Sequence, residues 1–334
     1  MNYETRIKLD YSDNETLNNF RNAIGAKLST IAKTHKPNSL YEPVRYAVEG
    51  GGKHLRPVIV LAACEAMGGN PEDALDAAVA VELLHTFTLV HDDIMDADTW
   101  RRGRESVHKK WDSSSAILSG DALLVLAYQS LMRTKIDDVR TLTELFNEGA
   151  LGVCEGQALD IELENEEEVS NTEYLNMIEK KTGMMISMAA AIGALIGGAK
   201  TADLNNFKSF GLALGKAFQL QDDYLEITSS KSMMGKSLGS DLTKGKKTFL
   251  LINAMKMADE EQRDDLKAII EKQHITSVEI GKVRDIFEEC GVLDLTKNII
   301  KENIKTAQDK LQFLDVENRN NLLLMTDIIQ NRKN

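Results

Sequence analysis

Cysteine is scarce in this sequence, with three residues among 334. Cys64, Cys154 and Cys290 form no CxxC pair and lie in no His/Cys spacing typical of zinc sites, which argues against a disulfide framework or a zinc module. Reduced, structural thiols are the simpler interpretation, and they lead us to expect a cytoplasmic protein. The polar N-terminus lacks the basic-then-apolar pattern of a signal peptide.

Proline and aromatic residues are also few. The four prolines lie at positions 37, 43, 57 and 71, so no proline ring interrupts a helix later in the chain. Aromatic residues make up 5% of the sequence, and runs rich in Val, Ile and Thr are nearly absent. The helix formers Ala, Leu, Met, Glu and Lys dominate, with apolar residues recurring every three or four positions, as in segment 75–87. We predict an all-α bundle in one domain, residues 1–334.

Basic residues are outnumbered by acidic ones, 40 to 52, which gives a net charge of −12. Such a surface does not attract nucleic acid or anionic lipid over its whole area, so a polyanionic substrate would need local cations or metal ions. The longest apolar stretch, 183–199, is short for a membrane span and rich in Ala and Gly, and it predicts a buried helix. We expect neither a nucleic-acid partner nor a membrane span.

The first of two acidic clusters follows an apolar helical run, 78–90. It reads Asp92-Asp93-Ile94-Met95-Asp96, which places Asp92 and Asp96 one turn apart on the same helix face, with Asp93 beside them. These carboxylates repel each other and are unfavourable for the dipole at a helix C-terminus. A Mg²⁺ ion whose coordination is completed by substrate phosphates would relieve both effects. The alternative is an acidic helix end exposed to solvent.

The second cluster, Asp222-Asp223-Tyr224-Leu225-Glu226, repeats this geometry about 130 positions later. Basic residues follow both clusters, and the segment Gly50-Gly51-Gly52-Lys53-His54-Leu55-Arg56 precedes them. Its glycines allow close backbone approach and its cations are donors, although it lacks the GxxxxGK[ST] spacing of a P-loop. Two carboxylate patches, each with cations nearby, predict a site that holds diphosphate through several metal ions.

The ordered motifs GGKxxRP, ELLH, DDxxD with RRG, KT, FQxxDD and DLxxGKKT resemble those of the trans-isoprenyl diphosphate synthases, the polyprenyl synthetase family. The resemblance covers roughly residues 40–251. It implies an isoprenoid-synthase fold, a large helical bundle around a deep central cavity, usually as a homodimer. It also implies Mg²⁺-dependent, head-to-tail condensation of isopentenyl diphosphate with dimethylallyl, geranyl or farnesyl diphosphate, with about three Mg²⁺ ions around the diphosphate.

The same resemblance assigns roles to individual residues. The diphosphate of isopentenyl diphosphate would be held by Lys53, Arg56, His85 and Arg102. Mg²⁺ on the allylic diphosphate would be held by Asp92, Asp93, Asp96 and Asp222, and the diphosphate itself would contact Arg101, Lys181, Lys236 and Lys246. Thr182 and Gln219 would face the reacting carbons, Asp223 completes the catalytic set, and Gln157 and Asp160 would support it. Three positions depart from the family pattern without removing a needed charge: His54, Glu105 and Glu226.

Product length is expected to depend on the helix that precedes Asp92. If Asp92 anchors the diphosphate, the growing tail runs back along this helix, with Phe87 as its floor and Leu84 and Val81 further along. The alternative is that Phe87 is an ordinary core residue. By resemblance, an aromatic residue at this position indicates geranylgeranyl diphosphate, the C20 product, with farnesyl diphosphate or a longer chain as alternatives.

Three other classes share part of this pattern. A class I terpene cyclase would have the fold and the first cluster, but Glu226 stands where cyclases carry Ser or Thr, and Lys53 and Arg56 would have no purpose. A phosphohydrolase that uses His91 and Asp92 as a metal pair leaves the second cluster unexplained. A non-catalytic partner subunit would be marked by loss of an acidic cluster, and both clusters are present.

Overall fold

The computed structural model describes residues 14–31, 36–229, 242, 244–272 and 275–332. The first helices are α1 (Glu15–Ile31), α2 (Asn38–Val48), α3 (Leu55–Ala66), α4 (Leu75–Met95), α5 (Val107–Lys110), α6 (Ser113–Leu131), α7 (Val139–Asn165) and α8 (Asn171–Ile178). They are followed by α9 (Met184–Ile196), α10 (Thr201–Thr228), α11 (Phe249–Met257), α12 (Glu260–Ile270), α13 (Ser277–Glu289), α14 (Val292–Lys310) and α15 (Val316–Gln330). A 3₁₀ turn (Pro71–Ala74) precedes α4, and a π-helical turn (Glu179–Gly183) joins α8 to α9.

The predicted all-α class is confirmed. In the described part of the chain, strand structure is confined to a hairpin of β1 (Trp100–Arg101) and β2 (Arg104–Glu105), paired antiparallel. Several helices begin at a capping box. In this motif the N-cap side chain accepts a hydrogen bond from the backbone N–H three residues later, and the side chain of that later residue accepts one from the N-cap backbone N–H. These pairs are Ser170 with Glu173, Asp259 with Gln262 and Thr276 with Glu279.

The predicted buried helix in segment 183–199 is α9, and ten of its 13 residues are buried. Its small residues allow close packing. A Cβ on Gly193 would lie 2.1 Å from the carbonyl oxygen of Val60 on α3, so that only glycine permits this contact. The helix therefore packs backbone to backbone in the centre of the bundle.

Two apolar clusters stabilise the bundle, and the long helices take part in both. Helix α10 contributes Phe207 and Phe210 to the larger cluster and Ile227 to the smaller one. Helix α14 contributes Ile300 to the larger cluster and Val292 to the smaller one. Because the same helices cross both clusters, we propose that the bundle is one domain.

One helical stretch among the described residues, Pro71–Met95, is long and apolar enough to cross a membrane by length and composition. Of its most apolar window, 61% is buried inside the protein. Core helices meet the same criteria. This stretch carries the first acidic cluster to the wall of an internal cavity.

Candidate active site

A cavity of about 1010 Å³ lies among α3, α4, α7, α9 and α10. Small-molecule sites typically span about 300–1,000 Å³, so this one is large enough for two substrates side by side. Part of its wall is charged, with the cationic side chains of Lys53, Arg56, Arg101, Arg102, Lys181, Lys244, Lys246 and Arg332. The rest includes the apolar side chains of Leu55, Phe87, Leu89, Met95, Val153, Ile161, Met185, Phe218 and Leu225.

The first acidic cluster occupies the last turn of α4, where Asp92 and Asp96 both line the cavity. Cations from distant parts of the chain approach them. Asp92 Oδ1 lies 3.4 Å from Lys181 Nζ, and Asp92 Oδ2 lies 3.8 Å from Arg101 Nη2. Asp96 Oδ2 lies 3.2 Å from Lys246 Nζ. The predicted pairing of Asp92 and Asp96 on one face therefore agrees with the structure, and the cations that offset their repulsion come from tertiary packing.

Asp93, predicted as a metal ligand, has different surroundings from Asp92 and Asp96. Its side chain is buried, it does not line the cavity, and it accepts a 2.7 Å hydrogen bond from Arg101 Nε as well as a second one from Arg101 Nη2. Burial raises the pKa of Asp93 although Arg101 opposes the rise. Because successive helical residues point about 100° apart, Asp93 lies to the side of the face that carries Asp92, and it holds Arg101 at the cavity wall.

Two lysines of the predicted set share one carboxylate. Asp160 Oδ2 lies 2.6 Å from Lys181 Nζ and 3.4 Å from Lys246 Nζ. Burial alone would raise the pKa of Asp160, but the two lysines outweigh it and lower that pKa. The expectation that Asp160 supports the site agrees with this geometry, because one buried anion fixes two cations that face the acidic cluster.

Lys181 reaches the cavity from the π-helical turn, a feature often found at functional sites. Its backbone lies against Gly156 of α7. A Cβ on Gly156 would lie 2.1 Å from the backbone nitrogen of Lys181, so this close approach requires glycine. Burial lowers the pKa of Lys181, but Asp92 and Asp160 outweigh it, so that its pKa is raised and the ammonium stays charged.

The second acidic cluster also divides between cavity and core. Asp222 and Glu226 line the cavity, whereas Asp223 is buried and does not. Asp223 accepts hydrogen bonds from the Tyr174 hydroxyl and from Gln219 Nε2, the latter at 3.1 Å. Asp223 lies beside a smaller pocket that shares Lys181, Thr182, Gln219 and Lys246 with the cavity, and it positions Gln219; its predicted place in the catalytic set stays a prediction.

The Asp223 contact fixes which way the Gln219 amide points. Since its Nε2 donates to Asp223, its Oε1 faces Thr182, whose Oγ1 donates to it at 2.9 Å. Both Thr182 and Gln219 line the cavity, as predicted. A chain of hydrogen bonds thus runs from buried Tyr174 to the two side chains expected beside the reacting carbons.

The predicted isopentenyl-diphosphate residues Lys53, Arg56, His85 and Arg102 all line the same cavity. Arg56 Nη1 lies 3.2 Å from His85 Nε2, and since arginine only donates, His85 accepts there. Burial, with Arg56 and Arg102 nearby, lowers the pKa of His85 well below its usual range. Burial also lowers the pKa of Arg56 to about 10. His85 is thus neutral, and the positive charge resides on the arginines.

The glycine-rich segment shapes this clamp. Gly51 and Gly52 adopt φ values of +67° and +151°, and a Cβ on Gly52 would lie 2.9 Å from the Arg102 guanidinium carbon. Arg102 donates to the Gly51 carbonyl oxygen. His54, where the family often has arginine, bonds Glu82 through Nδ1 at 3.0 Å. Glu82 is thereby a buried counter-charge beside the clamp.

The hairpin that carries Arg101 and Arg102 is anchored to α2. The Arg104 guanidinium lies 4.0 Å above the Tyr46 ring and donates to the Tyr46 carbonyl oxygen. The Tyr46 hydroxyl donates to the Glu105 carbonyl oxygen at 2.8 Å. Since only the backbone of Glu105 makes this contact, proline, which keeps its carbonyl, would preserve it.

Sequence reasoning missed four charged residues of this site. Glu82 lies within the ELLH motif, which was a usable signal, and Lys244 lies within TKGKKT. Lys244 pairs with Asp98, which also lies 3.4 Å from Arg101 Nη2. Arg332 lies far from every motif and pairs with Asp222. Lys236, predicted to contact the diphosphate, lies outside the described residues.

Of the three predicted chain-length residues, only Phe87 lines the cavity. Leu84 and Val81 are fully buried in the larger apolar cluster, so they do not form the tail floor as the structure stands. The reason is that α4 borders the cavity on one side and the apolar core on the other. Leu84 and Val81 point into the core.

The cavity wall suits an anion held together with a divalent cation. Arg56 Nε, Gln157 Nε2 and Arg332 Nε are buried without a hydrogen-bond partner, as donors awaiting ligand oxygens would be. Within the described ranges, no three His, Cys, Asp or Glu side chains converge on one point. Asp92, Asp96 and Asp222 are hard oxygen ligands on the cavity wall, and Mg²⁺ uses one or two carboxylates plus phosphates, so the residues fit this ion.

Comparison with known proteins agrees with this geometry. The sequence matches the family described as polyprenyl synthetase over residues 37–289. It is 38% identical over 322 residues to the geranylgeranyl diphosphate synthase of Methanosarcina mazei, covering 96% of this chain and 98% of that protein. The geranylgeranyl pyrophosphate synthetase of Pyrococcus horikoshii has a TM-score of 0.89 at 34% identity, covering 95% of this chain and 98% of that one. Polyprenyl synthase from Caulobacter crescentus, crystallised with calcium and isoprenyl diphosphate, has a TM-score of 0.86 at 26% identity. The match covers 96% of this chain and 98% of that one.

Proposed function

This chain belongs to the polyprenyl synthetase family and is a short-chain trans-prenyl diphosphate synthase, and we propose that its product is geranylgeranyl diphosphate. The substrates would be isopentenyl diphosphate and an allylic diphosphate with a dimethylallyl, geranyl or farnesyl group. The observation that carries the product proposal is the position of Phe87, whose ring stands in the cavity wall one and a half turns before Asp92.

The charged wall can hold two diphosphates separately. Lys53, Arg56 and Arg102 lie together around the glycine-rich segment, beside neutral His85. Lys181 and Lys246 lie against the first acidic cluster. The first group would bind the diphosphate of isopentenyl diphosphate, and the second the allylic diphosphate. Since the chain as a whole is strongly negative, these clusters are the features that attract the substrates.

Asp92, Asp96 and Asp222 would hold Mg²⁺ on the allylic diphosphate, and this supports a divalent-ion requirement of the kind the family has. When bound, the metal neutralises negative charge on the departing diphosphate. Lys181, Lys246 and Arg101 add fixed positive charge at the same place, stabilising it as the carbon–oxygen bond breaks. Asp160 and Asp93 hold these cations in place before substrate arrives.

Beyond the diphosphates, the chain supplies a surface for a carbocation. The Thr182 and Gln219 oxygens face the cavity, and their orientation is set by Asp223. The double bond of isopentenyl diphosphate would attack the allylic carbon, and the released diphosphate would accept the proton that is then lost. Apolar side chains such as Val153, Met185 and Phe218 line the same space and exclude water that would quench the cation.

The testing experiment uses the purified chain with Mg²⁺, isopentenyl diphosphate and each of the three primers, with product length read by chromatography. A C20 product supports the full proposal. Elongation that stops at C15 or passes C20 overturns the product assignment, while the assignment of the reaction itself stands. Cyclic hydrocarbon formed without isopentenyl diphosphate would indicate a terpene cyclase. No elongation with any primer refutes the function, and Asp92→Ala with unchanged helicity is the matched inactive control.

We also propose a cytoplasmic homodimer. Exposed apolar side chains on two neighbouring helices, Ile117, Leu118 and Val125 on α6 and Leu151 on α7, support a contact with a second copy. The three cysteines are free thiols, which supports a reducing compartment. Light scattering would test the dimer, and replacing Leu118 and Val125 by Glu should give monomers.

A further inference from the structure

His91, which precedes the first acidic cluster, lies in the wall of the cavity beside Phe87. The two rings meet edge to face, with centroids 4.8 Å apart and planes at 64°. Aromatic contacts of this geometry are favourable and restrict both rings. A displacement of His91 toward the cavity would therefore narrow the same space that Phe87 borders.

His91 is held from the other side by α6. Its Nε2 lies 3.2 Å from the carbonyl oxygen of Ile117. Because a carbonyl only accepts, this hydrogen bond requires the proton on Nε2. The ring is thus drawn against the backbone of α6 and away from the centre of the cavity.

The His91 ring can lie against the backbone of α6 because residue 120 is glycine. A Cβ on Gly120 would lie 2.1 Å from His91 Nε2 and 2.4 Å from His91 Cδ2, far inside van der Waals contact. Gly120 is buried within α6, an unfavourable position for glycine in the absence of a packing reason. Any larger residue there would force the imidazole off α6. Since His91 already forms part of the cavity wall, a ring pushed off α6 would narrow the cavity there.

We propose that Gly120 is a specificity-determining residue, which sets the space for the prenyl tail by giving His91 a seat on α6. The inference rests on the proposed function, because it concerns the tail that this cavity would hold. Gly120 touches no substrate, and its effect passes through His91 to the wall beside Phe87.

The test compares product lengths of four proteins: the unchanged chain, Gly120→Ala, His91→Ala and the double variant. Gly120→Ala should raise the ratio of C15 to C20 product by about tenfold, the lower end of what one methylene discriminates in an apolar pocket. His91→Ala should shift products toward longer chains. The double variant should match His91→Ala, because the added methyl then meets no ring. Gly25→Ala on α1 is the matched control, since a Cβ there meets nothing within 4 Å.

The outcomes separate this inference from the proposed function. If the unchanged chain elongates no primer, the proposed function fails. If it elongates, but Gly120→Ala yields the same products, the inference alone is overturned. It is also overturned if Gly120→Ala shifts product length equally in the His91→Ala background. If Gly120→Ala fails to fold, as judged by circular dichroism, His91→Ala and the double variant still test the inference, since neither contains the clash. Longer chains from both variants support it, and unchanged chains overturn it.

Discussion

Arg332 forms an ion pair with Asp222, although 110 positions separate the two residues in the sequence. The Arg332 guanidinium lies 5.2 Å from the centre of the Phe218 ring, and its carbonyl oxygen accepts a 3.2 Å hydrogen bond from Gln221 Nε2. Burial raises the pKa of Asp222, while Arg332, Arg56 and Lys53 oppose that rise. The chain thus brings its own cation to the carboxylate expected to meet metal and diphosphate.

Replacing Arg332 by Gln should weaken substrate binding. The residue lines the cavity and its Nε is buried without a partner, so this N–H can donate to a diphosphate oxygen while Nη1 pairs with Asp222. A hydrogen bond to a charged group contributes about 1.5–3 kcal/mol, so the KM for a diphosphate substrate should rise about tenfold or more. Steady-state kinetics measure this, and Arg332→Lys should recover only part of the affinity because it lacks the planar fork. An unchanged KM would exclude the contact.

Replacing Phe87 by Ala should lengthen the product, because its ring is removed from the cavity wall. Leu84→Ala is the matched control. Leu84 is buried in the core, so its truncation should cost about 2–5 kcal/mol of unfolding free energy without lengthening the product. Chromatography of products and urea unfolding separate the two effects. Longer products from Leu84→Ala alone would place the floor of the tail elsewhere.

Replacing Gly156 by Ala should displace Lys181. The new Cβ would lie 2.1 Å from the backbone nitrogen of Lys181, and the π-helical turn must shift to accommodate it. Since a displacement of about 1 Å can cost roughly 100-fold in rate, kcat should fall by about that factor. The control is Gly281→Ala on α13, where a Cβ meets nothing within 4 Å. Equal rates for both variants would contradict the role of Gly156 in positioning Lys181.

Replacing Tyr174 by Phe should lower both stability and kcat. The buried hydroxyl donates to Asp223, and losing a hydrogen bond to a charged group costs about 1.5–3 kcal/mol. Asp223 then holds Gln219 less firmly, which disturbs Thr182. Tyr128→Phe is the control, because its hydroxyl bonds Asn147 at an exposed place. Urea unfolding and single-turnover rates provide the readouts, and a full rate with Tyr174→Phe would argue against the relay.

The ligand-free protein should lose stability as the pH falls below about 6.5, the ordinary pKa of His85, because that pKa is lowered in the fold. The unfolded chain then takes up a proton that the folded chain rejects, so stability is complete above this pH and declines below it. The slope contributed by one such group is at most about 1.4 kcal/mol per pH unit. Urea unfolding between pH 7.5 and 5.5, about one unit on either side of 6.5, measures it. His85→Gln should decline less steeply, and parallel curves would count against a buried neutral histidine.

Much of the site followed from local spacing. Asp92 with Asp96, and Asp222 with Glu226, lie one helical turn apart, and both pairs line the cavity as predicted. The motif residues Lys53, Arg56, His85 and Arg102 also meet there. These relationships depend on helix geometry or on whole motifs, which a sequence displays directly.

The roles of Asp93, Asp223, Leu84 and Val81 could not be assigned in this way. Each lies at the right distance along a helix, but distance along the axis does not specify the face. Asp93 and Asp223 turn into the protein and hold Arg101 and Gln219. Leu84 and Val81 turn into the core.

The sequence by itself determined the helical class, the chemistry of the two acidic clusters and the cations that accompany them, because these depend on residue type and on spacing within one helix. The tertiary structure decided which helix faces meet. Only packing brings Arg332 to Asp222, Asp160 between Lys181 and Lys246, and His91 onto Gly120. These partners are far apart along the chain, and no local periodicity encodes contacts made by the packing of one helix on another.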